Sequence, residues 1–380
     1  MLIIFTLCVA SWLGTAGLWA CLRSTLRRFR GGPAQPCDLA MTLIKPVRGL
    51  DDMLEEGLLS IVESDPLKTL QVLIALETAD DPAYPLARAF REAHPDRDIS
   101  VVLTGPAGAR MGKAHNMIEA LPRARSRFIL FCDADTRLTR GLLSDAARAF
   151  RAGVDAVYAM PYHAKSSGVG GWWFMIAFNH CFCVPAALSA DWGQLRSFAG
   201  AFMGYTREAL EKIGGLERFS NVIAEDLCLG LAARRAGLRQ ELLSEPVLVR
   251  ETGTSPAEAF AHILKWSTIV LWSCPTAWLL APLFNPVLQA AAALALAAAS
   301  GRSLVLPGAA LAAALGSRVS IAVIQDRALA SYRIPVAAYW RILLADLGGL
   351  IFWPLSLRRT ISWRGRRYLL GPGGTCAVLP

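Results

Sequence analysis

The sequence predicts an α/β domain built on a parallel sheet, joined to membrane segments at both ends. Three observations support this class. Strand-like and helix-like patterns alternate through residues 41–132, residues 1–22 contain no charged side chain, and the chain becomes strongly apolar after residue 267. Alternating strands and helices are typical of a parallel sheet with helices on both faces. A run of about 20 apolar residues is long enough to cross a bilayer.

The alternating region contains four short apolar runs, which we interpret as buried strands separated by helices. The predicted strands are Met41–Pro46, Leu70–Leu76, Ile99–Leu103 and Phe128–Cys132. The predicted helices are Leu54–Ser64, 84–94 and 113–121, and a later one covers 222–236. A further strand is expected at 157–160. In such sheets, ligands bind at the carboxyl ends of the strands.

Composition and charge favour a membrane protein over a nucleic-acid-binding one. Of the 380 residues, 54% are apolar and 18% charged, and the net charge is +9. Arginines cluster beside the apolar segments, around residues 23–30 and 358–367. This placement suits an anionic membrane surface, and no nucleic-acid motif accompanies it. By the positive-inside rule, the chain enters the cytoplasm near residue 23, as in a bacterial inner-membrane protein.

The C-terminal region contains apolar stretches at 268–300, 303–325 and 336–357. We predict two full spans and place 336–357 as re-entrant or interfacial, because Arg341 and Asp346 interrupt it. An even number of spans keeps the basic tail on the same side of the membrane as the α/β domain. Three spans with an external tail are the alternative. The predicted organisation is an anchor (1–22), a cytoplasmic α/β domain (38–266), membrane helices (267–357) and a basic tail (358–380).

Polar side chains follow the carboxyl ends of the predicted strands. The ligand site of a parallel sheet is expected at that edge. They are Lys45 and Arg48 after the first strand, Glu77, Asp80 and Asp81 after the second, and Asp133 and Asp135 after the fourth. We therefore assign Lys45, Glu77, Asp81 and Asp133 to a common ligand site.

The pair Asp133 and Asp135 follows the buried strand Phe128–Cys132. Two carboxylates at this spacing can converge on one divalent cation, and Mg²⁺ and Mn²⁺ prefer such hard oxygen ligands. A metal held here would neutralise charge on a departing nucleoside diphosphate. The alternative is a solvated turn with an Asx cap.

Three further positions have a functional and a structural interpretation. Asp81 could accept hydrogen bonds from a base or ribose, or cap the helix before Pro82. Lys113 opens a helix where cations and free N–H groups attract phosphate. Asp226 could remove a proton from an acceptor hydroxyl, or simply be an acidic residue of a first helical turn.

The residues His262, Lys265 and Trp266 share one helical face just before the apolar C-terminal region. A cation here could bind diphosphate, and the indole could stack on a sugar or lipid. The alternative is an interfacial belt of Trp and Lys.

Taken together, these motifs resemble family 2-type glycosyltransferases of the GT-A fold. More narrowly, the chain is similar to ceramide glucosyltransferases and their bacterial relatives. The matching stretches are LIKPVRGLD (43–51), DDPA (80–83), CDAD (132–135), IAEDL (223–227), HILKW (262–266) and the tail TISWRGRRYLLGPGGT (360–375).

The resemblance implies an inverting transfer of a sugar, with glucose the expected one, from a UDP-sugar to a lipid such as ceramide. It implies that Asp81 contacts the nucleotide, that Asp133 and Asp135 hold diphosphate and metal, and that Asp226 is the general base. Trp266 and Lys265 would close the site, and His180 would lie near the donor. The family usually has arginines where this chain has His262 and Lys265, and lysine cannot make the bidentate phosphate contact of arginine.

Other acceptors and another class of protein are compatible with the same residues. Hopanoid and glycerolipid glycosyltransferases share these motifs. Polysaccharide synthases also share them but usually carry more spans and a Q-x-x-R-W motif. A membrane scaffold with an inactive transferase domain is the alternative from a different class. The identity of the sugar is left open.

Overall fold

In this computed structural model, the described residues are 1–29, 37–51, 53–193, 200–251, 253–329, 334–363 and 365–379. They divide into two compact units that alternate along the chain. The α/β unit comprises 29–162, 192–250 and 360–380. The helical unit comprises 1–28, 163–191 and 251–359.

Fourteen α-helices are found within the described residues. They are α1 (Leu2–Arg28), α2 (Leu54–Ser64), α3 (Tyr84–Ala93), α4 (Gly112–Ala120), α5 (Leu142–Arg151), α6 (Gly168–Ala177), α7 (Ala186–Asp191), α8 (Arg207–Lys212), α9 (Glu225–Arg235), α10 (Pro256–Ser273), α11 (Pro275–Leu280), α12 (Pro286–Ala299), α13 (Val305–Leu329) and α14 (Arg341–Leu355).

The same residues contain thirteen strands. They are β1 (Met41–Pro46), β2 (Leu70–Leu76), β3 (Ile99–Leu103), β4 (Phe128–Cys132), β5 (Thr136–Leu138), β6 (Ala156–Tyr158), β7 (Pro161–Ser166), β8 (Phe202–Thr206), β9 (Gln240–Leu242), β10 (Val247–Glu251), β11 (Thr360–Trp363), β12 (Arg366–Leu370) and β13 (Cys376–Leu379). The four strands and the first three helices predicted from the sequence are confirmed to within a residue.

The α/β unit is built on a seven-stranded sheet in the order β3-β2-β1-β4-β8-β6-β9. Its first four strands are parallel, with Ile44 opposite Leu73 on one side and Phe131 on the other. The predicted parallel arrangement of these four strands is confirmed, and β8, which was not predicted, runs antiparallel to both β4 and β6. Strands β1 and β2 are buried along their whole length, as expected for central strands covered on both faces.

The C-terminal residues form a three-stranded antiparallel sheet in the order β11-β12-β13, within the α/β unit. Main-chain hydrogen bonds tie it to the segment before α9. The Ile223 amide donates to the Gly374 carbonyl at 2.8 Å, and the Cys376 amide donates to the Asn221 carbonyl at 2.8 Å. The basic tail is therefore a folded part of the α/β unit.

Four helical stretches of the helical unit are long and apolar enough to cross a membrane: Leu2–Arg28, Gly168–Asp191, Val305–Leu329 and Val336–Leu355. The prediction of a spanning helix within 268–300 is wrong, because prolines at 275, 282 and 286 divide that segment. Its longest helix wholly inside the segment, α12, has 14 residues. The sequence analysis predicted no membrane helix within Gly168–Asp191.

Candidate functional site

A lysine between two carboxylates marks the carboxyl edge of the sheet. Lys113 lies in the first turn of α4, Asp133 follows β4, and Glu225 opens α9. The Lys113 Nζ lies 2.7 Å from Asp133 Oδ1 and 2.7 Å from Glu225 Oε1. Burial disfavours the charged ammonium, but the carboxylates of Asp133, Glu225 and Asp226 outweigh it and hold the pKa of Lys113 well above its usual value.

Asp226 is next to Glu225 and shares the same cleft. Its Oδ1 accepts a hydrogen bond from the Leu227 amide at 2.7 Å. Burial, followed by the negative charge of Glu225, raises the pKa of Asp226 to about 7, against the opposing effect of Lys113. A carboxylate with a pKa near neutrality is suited to accept a proton at physiological pH.

The backbone at Gly200 passes directly over these groups. A Cβ atom at this position would lie 3.0 Å from the Asp226 Cβ and 3.1 Å from the Lys113 Nζ. The absence of a side chain at Gly200 therefore allows the chain before β8 to approach the acidic cluster closely.

Asp133 and Asp135 are half-buried at the end of β4, where solvent or a ligand can reach them. Within the described residues, no group of three or more His, Cys, Asp or Glu side chains could hold a metal ion alone. Mg²⁺ typically binds through one or two carboxylates together with substrate phosphates, and the Asp133 and Asp135 pair supplies hard oxygen ligands of that kind. The residues present therefore fit a metal shared with a diphosphate.

Lys45 supports the turn that carries these aspartates. It is fully buried and is the fifth residue of β1, so the expectation that it follows the strand is wrong. Its Nζ donates to the Asp133 carbonyl at 2.6 Å and to the Thr136 carbonyl at 3.5 Å. These contacts hold the backbone between β4 and β5 against the central sheet.

A second polar cluster centres on Glu77, the residue after β2. Its Oε1 accepts from Arg48 Nη1 at 3.2 Å, and its Oε2 accepts from Arg366 Nη2 at 3.0 Å. The Ala107 amide also donates to Oε2, at 3.2 Å. The buried Nη1 of Arg366 has no hydrogen-bond partner among the described residues. The cluster therefore retains an unused donor beside the loop that opens α4.

The Asp81 carboxylate accepts hydrogen bonds from backbone amides of two separate loops. Its carboxylate accepts from the Gly49 amide at 2.9 and 3.1 Å and from the Ala83 amide at 2.9 Å. Gly49 has a positive φ of 69°, which a side chain would disfavour. Asp81 thus fixes the loop after β1, and its neighbour Asp80 is exposed.

The remaining predicted site residues belong to the helical unit. His262 stacks on Phe174, with ring centroids 4.3 Å apart and planes at 17°. The Lys265 Nζ lies 5.9 Å from the centroid of the Trp266 ring, within range of a cation–π contact. His180 is buried in a π-helical turn, Phe178–Phe182, with Nε2 3.2 Å from the Asp326 carboxylate.

The structure brings together Lys113, Asp133 and Asp226, which were predicted independently from three motifs. Two participants were missed. Glu225 directly precedes the predicted residue Asp226, so its position in the same acidic motif could have indicated its role. Arg366 approaches Glu77 from far along the chain, and no local pattern indicates that pairing.

Comparison with known proteins identifies the family. A family model described as Glycosyl transferase family 21 matches residues 2–376. Ceramide glucosyltransferases 1 and 3 of Caenorhabditis elegans are each 22% identical to this chain, over 245 and 260 residues. Both alignments cover 64% of this chain, and they cover 52% and 53% of the relatives. The chain thus spans about half the length of the curated relatives it matches.

Among solved structures, a mannosyltransferase from Pyrobaculum calidifontis, in complex with GDP-Man and Mn²⁺, has a TM-score of 0.54 and 21% identity. The match covers 90% of this chain and 99% of that chain. It confirms the predicted GT-A fold. Since the family model extends over nearly the whole sequence, the chain is a glycosyltransferase that belongs to glycosyl transferase family 21.

Proposed function

We propose that this glycosyltransferase moves glucose from UDP-glucose to ceramide at the cytoplasmic surface of a membrane, with inversion at the anomeric carbon. The observation that carries the proposal is the cluster in which Lys113 joins Asp133 to Glu225, beside Asp226. The family match and the names of the two nematode relatives support ceramide as acceptor and glucose as the sugar.

The two clusters of the α/β unit have distinct roles in this proposal. Arg48, Glu77, Asp81 and Arg366 contact the nucleoside part of the donor or position the loops around it. Asp133 and Asp135 would hold Mg²⁺ or Mn²⁺, which, when bound, offsets the charge of the diphosphate leaving group. Lys113 keeps Asp133 and Glu225 in place at the same edge of the sheet.

Asp226 is the proposed general base. It takes the proton of the ceramide hydroxyl as that oxygen forms a bond to the anomeric carbon and the bond from this carbon to the diphosphate breaks, releasing UDP. A pKa of about 7 allows Asp226 to be ionised before the reaction and to accept the proton during it. We further propose, on the family resemblance alone, that His262, Lys265 and Trp266 take part in binding the acceptor.

The organisation of the α/β unit constrains the membrane topology. Residues 29–162, 192–250 and 360–380 fold together and must lie on one side of the membrane. Each intervening segment therefore crosses an even number of times or not at all. We therefore propose that Gly168–Asp191 does not cross the membrane alone and that the C-terminal tail lies on the same side as the rest of the α/β unit. One crossing by α1 places the N-terminus on the opposite side.

The decisive experiment is sugar transfer by the purified full-length protein in detergent or nanodiscs. A panel of radiolabelled UDP-sugars is tested with ceramide, diacylglycerol and a hopanoid, in Mg²⁺, Mn²⁺ or EDTA, with Asp226→Asn as the matched inactive control. We expect transfer from UDP-glucose to ceramide that EDTA abolishes. Transfer only to diacylglycerol or the hopanoid would refute the acceptor, and transfer only from another sugar nucleotide would refute the donor.

A further inference from the structure

An ammonium group contacts the carboxylate that is proposed to hold a metal ion. Lys113 Nζ lies 2.7 Å from Asp133 Oδ1 and 2.7 Å from Glu225 Oε1. A divalent cation such as Mg²⁺ or Mn²⁺ also needs carboxylate oxygens in direct contact. Two cations drawn to one carboxylate repel each other strongly, because few water molecules separate them. The contact between Lys113 and Asp133 therefore competes with metal binding.

The two carboxylates beside Lys113 differ in their access to solvent. The Asp133 side chain keeps 30% of its surface exposed, whereas the Glu225 side chain keeps only 4%. A ligand that arrives from solvent reaches Asp133 and is kept from Glu225. Of the two contacts of the ammonium, the one with Asp133 is thus the contact that a ligand can replace.

The main chain at Asp133 is anchored from both sides. Its amide donates to the Ala201 carbonyl at 3.0 Å. Its carbonyl accepts hydrogen bonds from Lys45 Nζ and from Thr136 Oγ1, both at 2.6 Å. Because the backbone is fixed in this way, a change of partner at the Asp133 carboxylate involves side chains only.

Lys113 has other partners that remain when Asp133 is given up. The Glu225 contact persists, and the Gly200 carbonyl lies 3.5 Å from Nζ. A Cβ atom at position 200 would lie 3.1 Å from Nζ, so a glycine leaves the ammonium the most room on this side. A buried charge without a partner is costly. Lys113 can therefore move away from Asp133 and still keep its charge paired.

We propose that Lys113 exchanges partners during donor binding: it pairs with Asp133 before the donor binds, and afterwards releases Asp133 to a divalent cation and stays with Glu225. The ammonium repels a divalent cation that arrives alone. The diphosphate of the donor brings negative charge that offsets this repulsion. Lys113 thereby makes metal binding depend on the sugar nucleotide. This inference rests on the proposed role of Asp133 as a metal ligand.

The test measures Mn²⁺ binding to the full-length protein in detergent, with and without UDP and with no acceptor lipid. The signal of unbound Mn²⁺ in electron paramagnetic resonance gives the Kd at each condition, so the measurement does not depend on turnover. Lys113→Gln removes the ammonium charge. Lys212→Gln is the matched control, because it removes the same charge from an exposed position on α8 of the same unit.

We expect Mn²⁺ alone to bind about tenfold more tightly to Lys113→Gln than to the parent, as for removal of a like charge within a few ångströms. The gain in Mn²⁺ affinity that UDP provides should be correspondingly smaller in this variant, because the two effects are linked. Lys212→Gln should stay within about twofold of the parent. Mn²⁺ affinity without UDP that is equal or weaker in Lys113→Gln would overturn the exchange.

A second variant keeps the inference testable if Lys113→Gln does not fold, which its thermal midpoint shows. Glu225→Gln retains an oxygen that accepts from Lys113 but loses the charge that holds the ammonium away from Asp133. Lys113 then pairs more strongly with Asp133, and Mn²⁺ alone should bind about threefold more weakly than to the parent. Unchanged or tighter Mn²⁺ binding by Glu225→Gln would contradict the exchange.

Failure of this inference is distinguishable from failure of the proposed function. If the parent binds no Mn²⁺ even with UDP, the metal role of Asp133 in the proposed function is wrong, and the exchange is wrong with it. If the parent binds Mn²⁺ with UDP but Lys113→Gln leaves the affinity for Mn²⁺ alone unchanged, the metal role stands and only the exchange is refuted.

Discussion

Arg366 donates a 3.0 Å hydrogen bond to Glu77, although 289 residues separate them in the chain. This contact ties the C-terminal sheet to the loop after β2, beside the start of α4. Arg366 also retains a buried Nη1 without a partner among the described residues. A guanidinium group with one buried, unused donor suits recognition of a polar or anionic ligand, so we propose that Arg366 belongs to the donor site.

Replacement of Arg366 should weaken donor binding more than it slows transfer. We expect Arg366→Ala to raise the KM for UDP-glucose about tenfold, as for loss of a hydrogen bond from a charged group, with kcat within about twofold. Arg366→Lys should restore little of the donor affinity that Arg366→Ala loses, since lysine lacks the planar guanidinium group. Steady-state kinetics and UDP binding by calorimetry measure both effects.

Arg367 is the matched control, because it neighbours Arg366 on β12 and is exposed. Arg367→Ala should leave the donor KM within about twofold of the parent, as for most surface substitutions. Equal effects of the two substitutions would show that the net charge of the tail, rather than the Arg366 contact, matters.

Asp226→Asn should abolish transfer while donor binding persists. Removal of a general base typically costs about 10²- to 10⁴-fold in rate, and the amide retains the shape of the side chain. The measurement is kcat for ceramide glucosylation together with the Kd of UDP. Glu211→Gln, an exposed acidic residue of the same unit, is the control and should behave like the parent. A normal rate in Asp226→Asn would rule out the base assignment.

Because of Asp226, kcat should rise with increasing pH, whereas the stability of the folded state should fall. Its pKa is raised to about 7 by burial and by Glu225, so the base is increasingly protonated below that pH and kcat should fall. The folded state binds the proton more tightly than the unfolded chain does. This contribution to stability is therefore full below about pH 4 and is lost as pH rises through 7.

Thermal unfolding of the parent and Asp226→Asn between pH 5 and pH 8 checks the second half of that prediction. The variant should gain stability relative to the parent as pH increases, since it has no carboxyl group to ionise. A stability difference that does not change with pH would contradict the raised pKa.

The α/β region could be predicted because its patterns are local. The strands Met41–Pro46 and Phe128–Cys132 are short apolar runs with polar ends, and the site follows from where parallel strands end. The antiparallel β8 and the contact from Arg366 to Glu77 depend on which distant segments meet, so no local pattern indicates them. Asp346 was visible as a charge in an apolar stretch, but its partner Arg318 could be named only from the structure.

Tags on the two ends of the chain should lie on opposite sides of the membrane. The helix α1 crosses once in our proposal, whereas β11–β13 fold with the α/β unit. In sealed inside-out vesicles, protease should remove a C-terminal tag and leave an N-terminal tag until detergent is added. A tag inserted in the α/β unit at exposed Glu211 is the control for the cytoplasmic side. Protection of the C-terminal tag in vesicles where the Glu211 tag is cleaved would contradict the even number of crossings within 251–359.

Lys113 should be required for the stability of the α/β unit as well as for the shape of its site. Lys113→Met leaves Asp133 and Glu225 facing each other without the ammonium that lies 2.7 Å from both. Removing one partner of a buried ion pair typically costs about 3–5 kcal/mol, which corresponds to a fall in Tm of roughly 6 °C or more. Lys212→Met, at an exposed position on α8, should shift Tm by less than about 2 °C. Similar midpoints for the two variants in thermal denaturation would show that the carboxylates are stable without Lys113. In that case Lys113 would not hold the cluster together, and its proposed role in positioning Asp133 would have to be abandoned.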